Sequence, residues 1–535
     1  RGLLGSVHVV RFQQGASARP SGGNAFQQVV RVRELTVVEL LTNLGAGLRN
    51  LLGVGPFLIV TAGVVVGILG GAMPGMSPSM AGAVLLPFTF GMSPTMGLVM
   101  LCAIYLASNY GGSITAVMIN TPGTPSAVVT AFDGYPLAKS GKPGYGLGIS
   151  LVASVWGGFI GIVILVLFSA PLANFALTFW PAEYFSLALM GLSTVSSMAG
   201  RKWAESLMAV LLGLVLNTIG LDHVNGVSRF TFDILNLYDG FSFVPALIGL
   251  FALSEVFANI EENDYRAYEA AQERVSEWPS LKTYLSLKWS IIRSGILGTL
   301  IGIFPGAGGT IASFLAYDME KRLSKRPETF GTGAYEGVAA AEAANSASVG
   351  GALVPLLTLG IPGSASTAVL IGALMIHELR PGPELFAKQP ELVYTLFSSL
   401  LVANMVLYFL GTWGSRLWIK VTRIPKTVLY PLIFAFAMVG SFAVRSSVFD
   451  VGVCLGFAAL GWILKKFHYP LSPIVLGLVL GALIETNLQM TLIMGGPQLL
   501  YTRPLSAALL AIAGVMLLAP VFPELKRKRA AKADS

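Results

Sequence analysis

Long apolar stretches recur along the whole chain, and short polar or glycine-rich turns separate them. Examples are residues 57–73, 149–168, 244–257, 396–409 and 507–518. Many of these stretches reach, or nearly reach, the roughly 20 residues that an α-helix needs to cross a bilayer. The pattern predicts an all-α, polytopic integral membrane protein with about 12 spans or half-spans.

Four Pro-Gly dipeptides interrupt the apolar segments at matching places in the two halves of the chain. They are Pro74-Gly75 and Pro122-Gly123 in the first half, and Pro305-Gly306 and Pro362-Gly363 in the second. Proline removes an amide donor and blocks the preceding helical turn, whereas glycine accepts dihedral angles that other residues avoid. Each dipeptide is therefore predicted to end one half-helix and begin another, which gives paired broken helices around a shared site.

The charges of the turns indicate that the two halves are inverted repeats. The turn after the first dipeptide is uncharged in the first half (residues 91–94) but contains four basic residues in the second (residues 318–330). Basic turns mark the cytoplasmic side, so these two turns are predicted on opposite faces of the membrane. Residues 113–130 are too few for two crossings at about 1.5 Å per residue, which predicts a re-entrant hairpin there.

Polar segments indicate where the chain divides into separate regions. Residues 37–260 are predicted to form the first transmembrane half, residues 261–288 a polar linker, and residues 289–522 the second half. Residues 1–36 hold five arginines among glycine, serine and glutamine, and we expect a disordered or spurious extension there. Residues 523–535 are expected to form a basic cytoplasmic tail.

Small residues with hydroxyl or amide groups surround the four dipeptides, and no arginine or lysine lies within the motifs. A new helix N-terminus presents N–H groups to an anion, and the carbonyl groups of an ended half-helix suit Na⁺. The motifs thus predict that a carboxylate and Na⁺ bind near the Pro-Gly tips, with the Na⁺ ligands unassigned. The predicted site residues are Pro74, Gly75, Ser77, Ser113, Asn120, Thr121, Pro122, Gly123, Thr124, Pro305, Gly306, Gly308, Thr310, Glu342, Asn345, Ser346, Pro362, Gly363, Ser364 and Ser366.

Two alternatives stand beside this prediction. A single Pro-Gly pair is also compatible with a kink in a packed helix whose hydroxyl groups bond back to the backbone, but four pairs in repeat order favour a transport site. Glu342 lies in apolar surroundings, where an acid either binds a cation or proton or braces neighbouring helices. The sequence leaves both roles of Glu342 open.

Composition narrows the functional classes. Of the 535 residues, 54% are hydrophobic and 12% are charged, about half the charge of a soluble domain. The net charge of +8 is concentrated in the N-terminal tail and at residues 321–326 and 526–529, as expected of cytoplasmic flanks and not of a nucleic-acid-binding face. Metal, redox, nucleotide and Ser-His-Asp patterns are absent from the sequence, so we expect neither a cofactor nor enzymatic activity.

The motifs themselves resemble a known family. The matching segments are Gly71-Ala72-Met73-Pro74-Gly75, Tyr110-Gly111-Gly112-Ser113-Ile114, Asn120-Thr121-Pro122-Gly123-Thr124, Phe304-Pro305-Gly306-Ala307-Gly308, Glu342-Ala343-Ala344-Asn345 and Leu359-Gly360-Ile361-Pro362-Gly363-Ser364. On these segments the chain resembles the large membrane subunit of the tripartite tricarboxylate transporters, the TctA-type family. The resemblance extends over about residues 37–520. Two departures are Ser346, where the family usually has a second asparagine after Asn345, and Glu378, where it usually has glycine.

The resemblance implies a secondary transporter of the bacterial cytoplasmic (inner) membrane that takes up tricarboxylates or other organic carboxylates with the Na⁺ gradient. It also implies two partners, a small four-helix membrane subunit and a periplasmic solute-binding protein, and by analogy an elevator-like architecture. The alternatives are a stand-alone carboxylate carrier and a non-transporting membrane scaffold. We further expect a bulky residue at Gly123 or Gly363 to abolish transport without preventing folding.

Overall fold

The structure is a computed structural model that describes residues 37–73, 76–198, 202–222, 224–261, 278–306, 308–414, 417–418 and 426–520. Most of these residues are helical, and one short antiparallel ladder pairs β1 (Gly220–Leu221) with β2 (Ser228–Arg229). The expected all-α fold is thereby confirmed. The predicted N-terminal extension, the C-terminal tail and residues 262–277 of the predicted linker lie outside the described residues.

Among the described residues of the first half, eight α-helices precede the β-ladder. They are α1 (Val37–Leu51), α2 (Val54–Ala72), α3 (Pro78–Leu85), α4 (Pro94–Ile119), α5 (Ala127–Lys139), α6 (Pro143–Ala176), α7 (Pro181–Met198) and α8 (Trp203–Asn217). Helix α9 (Phe243–Glu261) follows the ladder and contains a π-helical turn at Ile248–Leu253.

Further helices follow in the described part of the chain after residue 277. They are α10 (Leu281–Ser286), α11 (Lys288–Ile303), α12 (Gly308–Leu323), α13 (Tyr335–Leu359), α14 (Ala365–Ile376), α15 (Pro383–Lys388), α16 (Pro390–Trp413), α17 (Lys426–Arg445), α18 (Val448–Lys466), α19 (Ser472–Gly495), α20 (Leu499–Thr502) and α21 (Pro504–Leu518).

Eight of the described helices are long and apolar enough to cross a bilayer, judged by length and composition: α2, α4, α6, α9, α16, α17, α18 and α19. Four shorter apolar helices accompany them, namely Pro78–Thr89, α8, α14 and α21. Large apolar side chains such as Trp156 and Leu167 on α6 are more than half exposed on the protein, as expected of a surface that faces lipid. The chain is a multi-pass membrane protein.

Helices α4 and α13 end in the same way, because both are followed by a left-handed residue two positions before a Pro-Gly pair. Asn120 has φ 52° and Gly360 has φ 73°. In each case the next N–H bonds to a carbonyl six residues back, Thr121 to Thr115 at 3.3 Å and Ile361 to Pro355 at 3.2 Å. A left-handed residue is a common way to end a helix, and the recurrence of the same wide turn at both places supports the internal repeat.

The two repeats contact each other reciprocally. Helix α4 begins beside the residue that follows α14, since a Cβ on Gly97 would lie 3.3 Å from His377 Nε2. Helix α13 begins beside the second half of α5, where buried Asp133 accepts hydrogen bonds at 2.8 Å from the N–H groups of Gly331, Gly333 and Ala334, and a Cβ on Gly333 would lie 3.3 Å from Leu137 near the end of α5. The long helix of each repeat (α4 or α13) therefore begins where the short helix of the other repeat (α14 or α5) ends. This is the relation expected of inverted repeats.

Glycines allow close packing within both repeats. A Cβ on Gly63 or Gly67 of α2 would lie 2.8 or 2.7 Å from a backbone carbonyl oxygen of α4, and a Cβ on Gly302 of α11 would lie 2.6 Å from one of α13. Such contacts let helix backbones approach closely in a membrane, where packing replaces the hydrophobic effect. We call helices α2–α6 and α11–α14 the broken-helix core.

Candidate functional site

All four interrupted segments line one cavity of about 570 Å³. The first half contributes Ser77–Ser79 and Pro125-Ser126, and the second half contributes Gly306, Gly308–Ile311 and Ser364–Ser366. The volume lies within the range of small-molecule sites, roughly 300–1,000 Å³. Segments far apart in sequence therefore meet at a single site.

Each of the four interrupted segments begins a helix at this cavity, namely α3, α5, α12 and α14, and α19 also begins there, at Ser472. Ser77 caps α3 by accepting a hydrogen bond from the Met80 N–H at 3.1 Å. At α14, Ser364 and Thr367 form a capping box in which the Ser364 N–H donates to Thr367 Oγ1 at 2.8 Å. The first N–H groups of a helix have no intrahelical acceptor and carry partial positive charge, so four converging N-termini favour an anion in the cavity.

The opposite wall of the cavity comes from helices that the Pro-Gly pattern did not indicate. We call α8, α9, α18 and α19 the facing layer. It contributes Ser206, Glu255, Lys465 and Ser472, as well as the π-helical turn of α9. π-Helical turns are frequent at functional sites.

Helix α4 supplies two further side chains that sequence reasoning missed. Tyr105 and Asn109 line the cavity, and the Tyr105 hydroxyl lies 3.1 Å from Ser364 Oγ across the two repeats. Both residues precede Gly111-Gly112 by one or two helical turns. Polar residues inside the long apolar helix α4 were the available signal.

A second cavity of about 500 Å³ reaches Gly360. Gly360 lies at the other end of the interrupted segment that contains Ser364. The second cavity is also lined by Arg229 and Glu485, which are joined by a hydrogen bond of 3.1 Å between Arg229 Nη2 and Glu485 Oε2. Residues 360–364 therefore lie between two cavities, one at Gly360 and one at Ser364.

Asp222 holds the loop beside this second cavity. Its carboxylate accepts hydrogen bonds from the N–H groups of Asn225 and Val224, and from Gln489 Nε2 at 3.0 Å. The Asn225 N–H, followed by the Gln489 amide and the Val224 N–H, holds the pKa of Asp222 well below its usual range. The ionised carboxylate thus fastens the loop to α19.

The structure separates the predicted site residues into three groups. Those that line the first cavity are Ser77, Gly306, Gly308, Thr310, Ser364 and Ser366. Those that lie outside its lining are Ser113, Asn120, Thr121, Pro122, Gly123, Thr124, Pro305, Glu342, Asn345, Ser346, Pro362 and Gly363. Pro74 and Gly75 lie outside the described residues.

Glu342 is fully buried, and three helices supply its hydrogen-bond donors. Ser113 on α4 donates at 2.5 Å, Ser154 on α6 donates at 2.8 Å, and Thr130 on α5 also donates. Of the two roles that the sequence left open, these contacts favour the bracing of α4, α5 and α6 against α13.

Asn345 is fully buried one turn after Glu342, directly behind the cavity wall. Neither its Oδ1 nor its Nδ2 has a hydrogen-bond partner among the described residues, and the same holds for the buried Ser346 Oγ. A Cβ on Gly309 would lie 2.5 Å from Asn345 Oδ1, so the amide lies against the N-terminus of α12. Buried polar groups are rarely left unpaired, and these groups are available to a ligand.

Residues 57–476 match the model of the Tripartite tricarboxylate transporter TctA family. The chain belongs to this family. It is also 37% identical over 496 residues, 92% of this chain and 98% of the relative, to the Uncharacterized 52.8 kDa protein in TAR-I ttuC' 3'region of Agrobacterium vitis. The Uncharacterized protein in TAR-II ttuC' 3'region of the same organism is 37% identical over 234 residues, 43% of this chain and 97% of that protein. No solved structure matches.

Membership of this family confirms the resemblance and establishes the broad functional class of the protein. As a TctA family member, the chain is the large membrane subunit of a tripartite tricarboxylate transporter, and it is not an enzyme. The two cavities and four interrupted segments are therefore features of a transport protein.

Proposed function

We propose that this TctA family subunit is the permease that carries an organic carboxylate through the first cavity by alternating access, coupled to Na⁺. The observation that carries the proposal is the convergence of four helix N-termini on one cavity. Each N-terminus contributes about half a positive charge, so the site attracts a carboxylate without an arginine on the broken-helix tips. The Ser77, Thr310 and Ser366 hydroxyls add hydrogen-bonding groups to the lining.

Alternating access requires a barrier that separates the two sides of the membrane. We propose residues 360–364 as this barrier, because the first cavity reaches Ser364 and the second cavity reaches Gly360. In an elevator-like motion, the broken-helix core would move against the facing layer and expose the tips to each side in turn. The Tyr105–Ser364 contact joins the two repeats within this core, so their tips would move together.

Na⁺ is proposed as the coupling ion because a carboxylate crosses the low-dielectric membrane more easily when a cation offsets its charge. The side-chain oxygen atoms of Asn345 and Ser346 are neutral ligands of the kind that hard cations prefer, and neither has a hydrogen-bond partner among the described residues. Asn345 lies against Gly309, and Gly309 lines the first cavity, so the proposed cation site would lie beside the proposed anion site.

Gly309→Ala is expected to raise the half-saturating Na⁺ concentration for uptake about tenfold, because the new Cβ displaces the Asn345 amide. Uptake measured against external Na⁺ gives this value. Gly514→Ala is the matched control, since a Cβ there meets nothing within 4 Å. An unchanged Na⁺ dependence in Gly309→Ala would exclude Asn345 from the cation site.

The family implies other subunits, and we propose two: a small four-helix membrane protein and a periplasmic solute-binding protein that delivers the carboxylate. The bacterial inner membrane is the proposed location. Basic residues Lys321 and Arg322 in the last turn of α12, and Lys325 and Arg326 after it, are assigned to the cytoplasmic face.

Reconstitution tests this function directly. Proteoliposomes that contain both membrane subunits are expected to accumulate radiolabelled citrate, malate or succinate only with an inward Na⁺ gradient and the loaded binding protein. Accumulation without the binding protein would indicate a stand-alone carrier. The absence of accumulation for every carboxylate and every subunit combination would contradict transport and favour a scaffold.

A further inference from the structure

Two charged side chains lie in the wall of the first cavity. Lys465 at the end of α18 and Glu255 on α9 form an ion pair through Lys465 Nζ and Glu255 Oε2, and their side chains are 26% and 29% exposed. Among the described residues that line this cavity, they are the only charged ones. The positive charge of Lys465 faces the same space as the four helix N-termini.

A neighbouring ion pair on the same two helices differs in its position. Lys466 pairs with Glu261, the two side chains are 57% and 45% exposed, and neither residue lines the cavity. Trp462 Nε1 also donates to Glu261 at 2.8 Å. This outer pair already joins α9 to α18 at the surface, so the inner pair is not needed as the connection between these helices.

Glu255 has a second partner that remains when Lys465 leaves. Asn259 Nδ2 lies 3.3 Å from Glu255 Oε1 and also donates to the Glu255 carbonyl oxygen at 2.8 Å. In a partly hydrated cavity, the Glu255 carboxylate would lose one of its two partners and keep the other. This loss costs less free energy than leaving the carboxylate with no partner. Lys465 can therefore exchange partners.

We propose that Lys465 is a specificity-determining residue that exchanges Glu255 for a second carboxylate of the bound solute. This inference rests on the proposed function. One carboxylate lies at the helix N-termini of the broken-helix core, and another reaches Lys465 on the facing layer. Without solute, Glu255 neutralises Lys465. A monocarboxylate cannot engage both walls, so the site selects solutes with two or more carboxylates.

Binding to the purified membrane complex in Na⁺ buffer tests this assignment independently of the solute-binding protein. The probes are citrate, succinate and butyrate, with three, two and one carboxylates, and calorimetry gives each Kd. Lys465→Gln is expected to weaken citrate and succinate binding about tenfold and to leave butyrate unchanged. Glu255→Gln is expected to strengthen citrate and succinate binding, because Lys465 loses its competitor. Lys466→Gln is the matched control and should leave all three affinities unchanged.

The outcomes distinguish a failure of the Lys465 assignment from a failure of the proposed carboxylate site. If the wild type binds carboxylates but Lys465→Gln weakens all three probes equally, or Glu255→Gln weakens citrate binding, the pair is only structural and the inference fails. If the wild type binds none of the probes, the carboxylate site itself fails. The double variant K465Q/E255Q leaves no unpaired charge and replaces Lys465→Gln should that variant not fold. It is expected to show the same selective loss.

Discussion

Glu342→Ala is expected to destabilise the broken-helix core severely, whereas Glu342→Gln should keep it folded. Alanine leaves the hydroxyls of Ser113, Thr130 and Ser154 without their acceptor, and each buried polar group left unsatisfied costs about 1–3 kcal/mol. Removal of the side chain also opens a void in a tightly packed interior. Glutamine has nearly the same shape, and hydroxyls can accept from its amide as well as donate to it.

The melting temperature and the size-exclusion profile of the purified complex measure this difference. Glu336→Ala is the control, because Glu336 lies on the same helix in its partly exposed first turn and should alter stability far less. An alanine variant that melts like the wild type would refute the bracing role. A glutamine variant that folds but transports without Na⁺ dependence would instead assign Glu342 to ion coupling.

Gly123→Ala is expected to abolish most transport and also to lower stability, because Gly123 is enclosed by the backbones of two helices. Its N–H donates to the Gly112 carbonyl oxygen at 3.1 Å. An added Cβ would overlap the Gly71 carbonyl oxygen on α2 and lie 3.0 Å from both Gly112 Cα and Thr115 Oγ1. Backbone cannot move aside as a flexible side chain can, so the tip must shift, and overpacking of this kind costs about 1–3 kcal/mol.

Initial uptake rate and melting temperature should both fall in Gly123→Ala. Gly55→Ala on α2 is the control, since a Cβ there meets nothing within 4 Å. Wild-type uptake by Gly123→Ala would mean that the tip conformation does not matter for transport. Gly363 is equally enclosed, because its Cβ would lie 2.7 Å from Ala352 Cα. Bulky residues at these glycines are therefore expected to affect packing as well as transport, whereas the sequence alone predicted a loss of transport with folding intact.

The sequence indicated the interrupted helices because their signals are local. Proline and glycine act on their own backbone, so the breaks near residues 120–126 and 360–364 were predictable without a fold. Ser77, Gly306 and Ser364 were predicted as site residues for the same reason, and the structure places them around one cavity. Asn120 was also predicted there, but the structure places it at the exposed left-handed end of α4.

The facing layer could not be predicted in this way. Lys465 and Glu255 lie 210 positions apart, and each lies in the C-terminal part of an apolar helix, where charged residues are common. Nothing in the local sequence distinguishes the Lys465–Glu255 pair from the neighbouring Lys466–Glu261 pair. Only the packing of α9 and α18 places one pair in the cavity and the other at the surface.

The sequence by itself determined a polytopic helical protein with four breaks in two repeats and membership of the TctA family, because hydropathy, backbone restriction and motif identity belong to contiguous segments. The tertiary structure decided that the breaks share one cavity, that Glu342 joins α13 to three other helices, and that Asn345 lies against α12. These arrangements depend on contacts between residues separated by 36 to 259 positions, and such contacts are set by helix packing and not by local pattern.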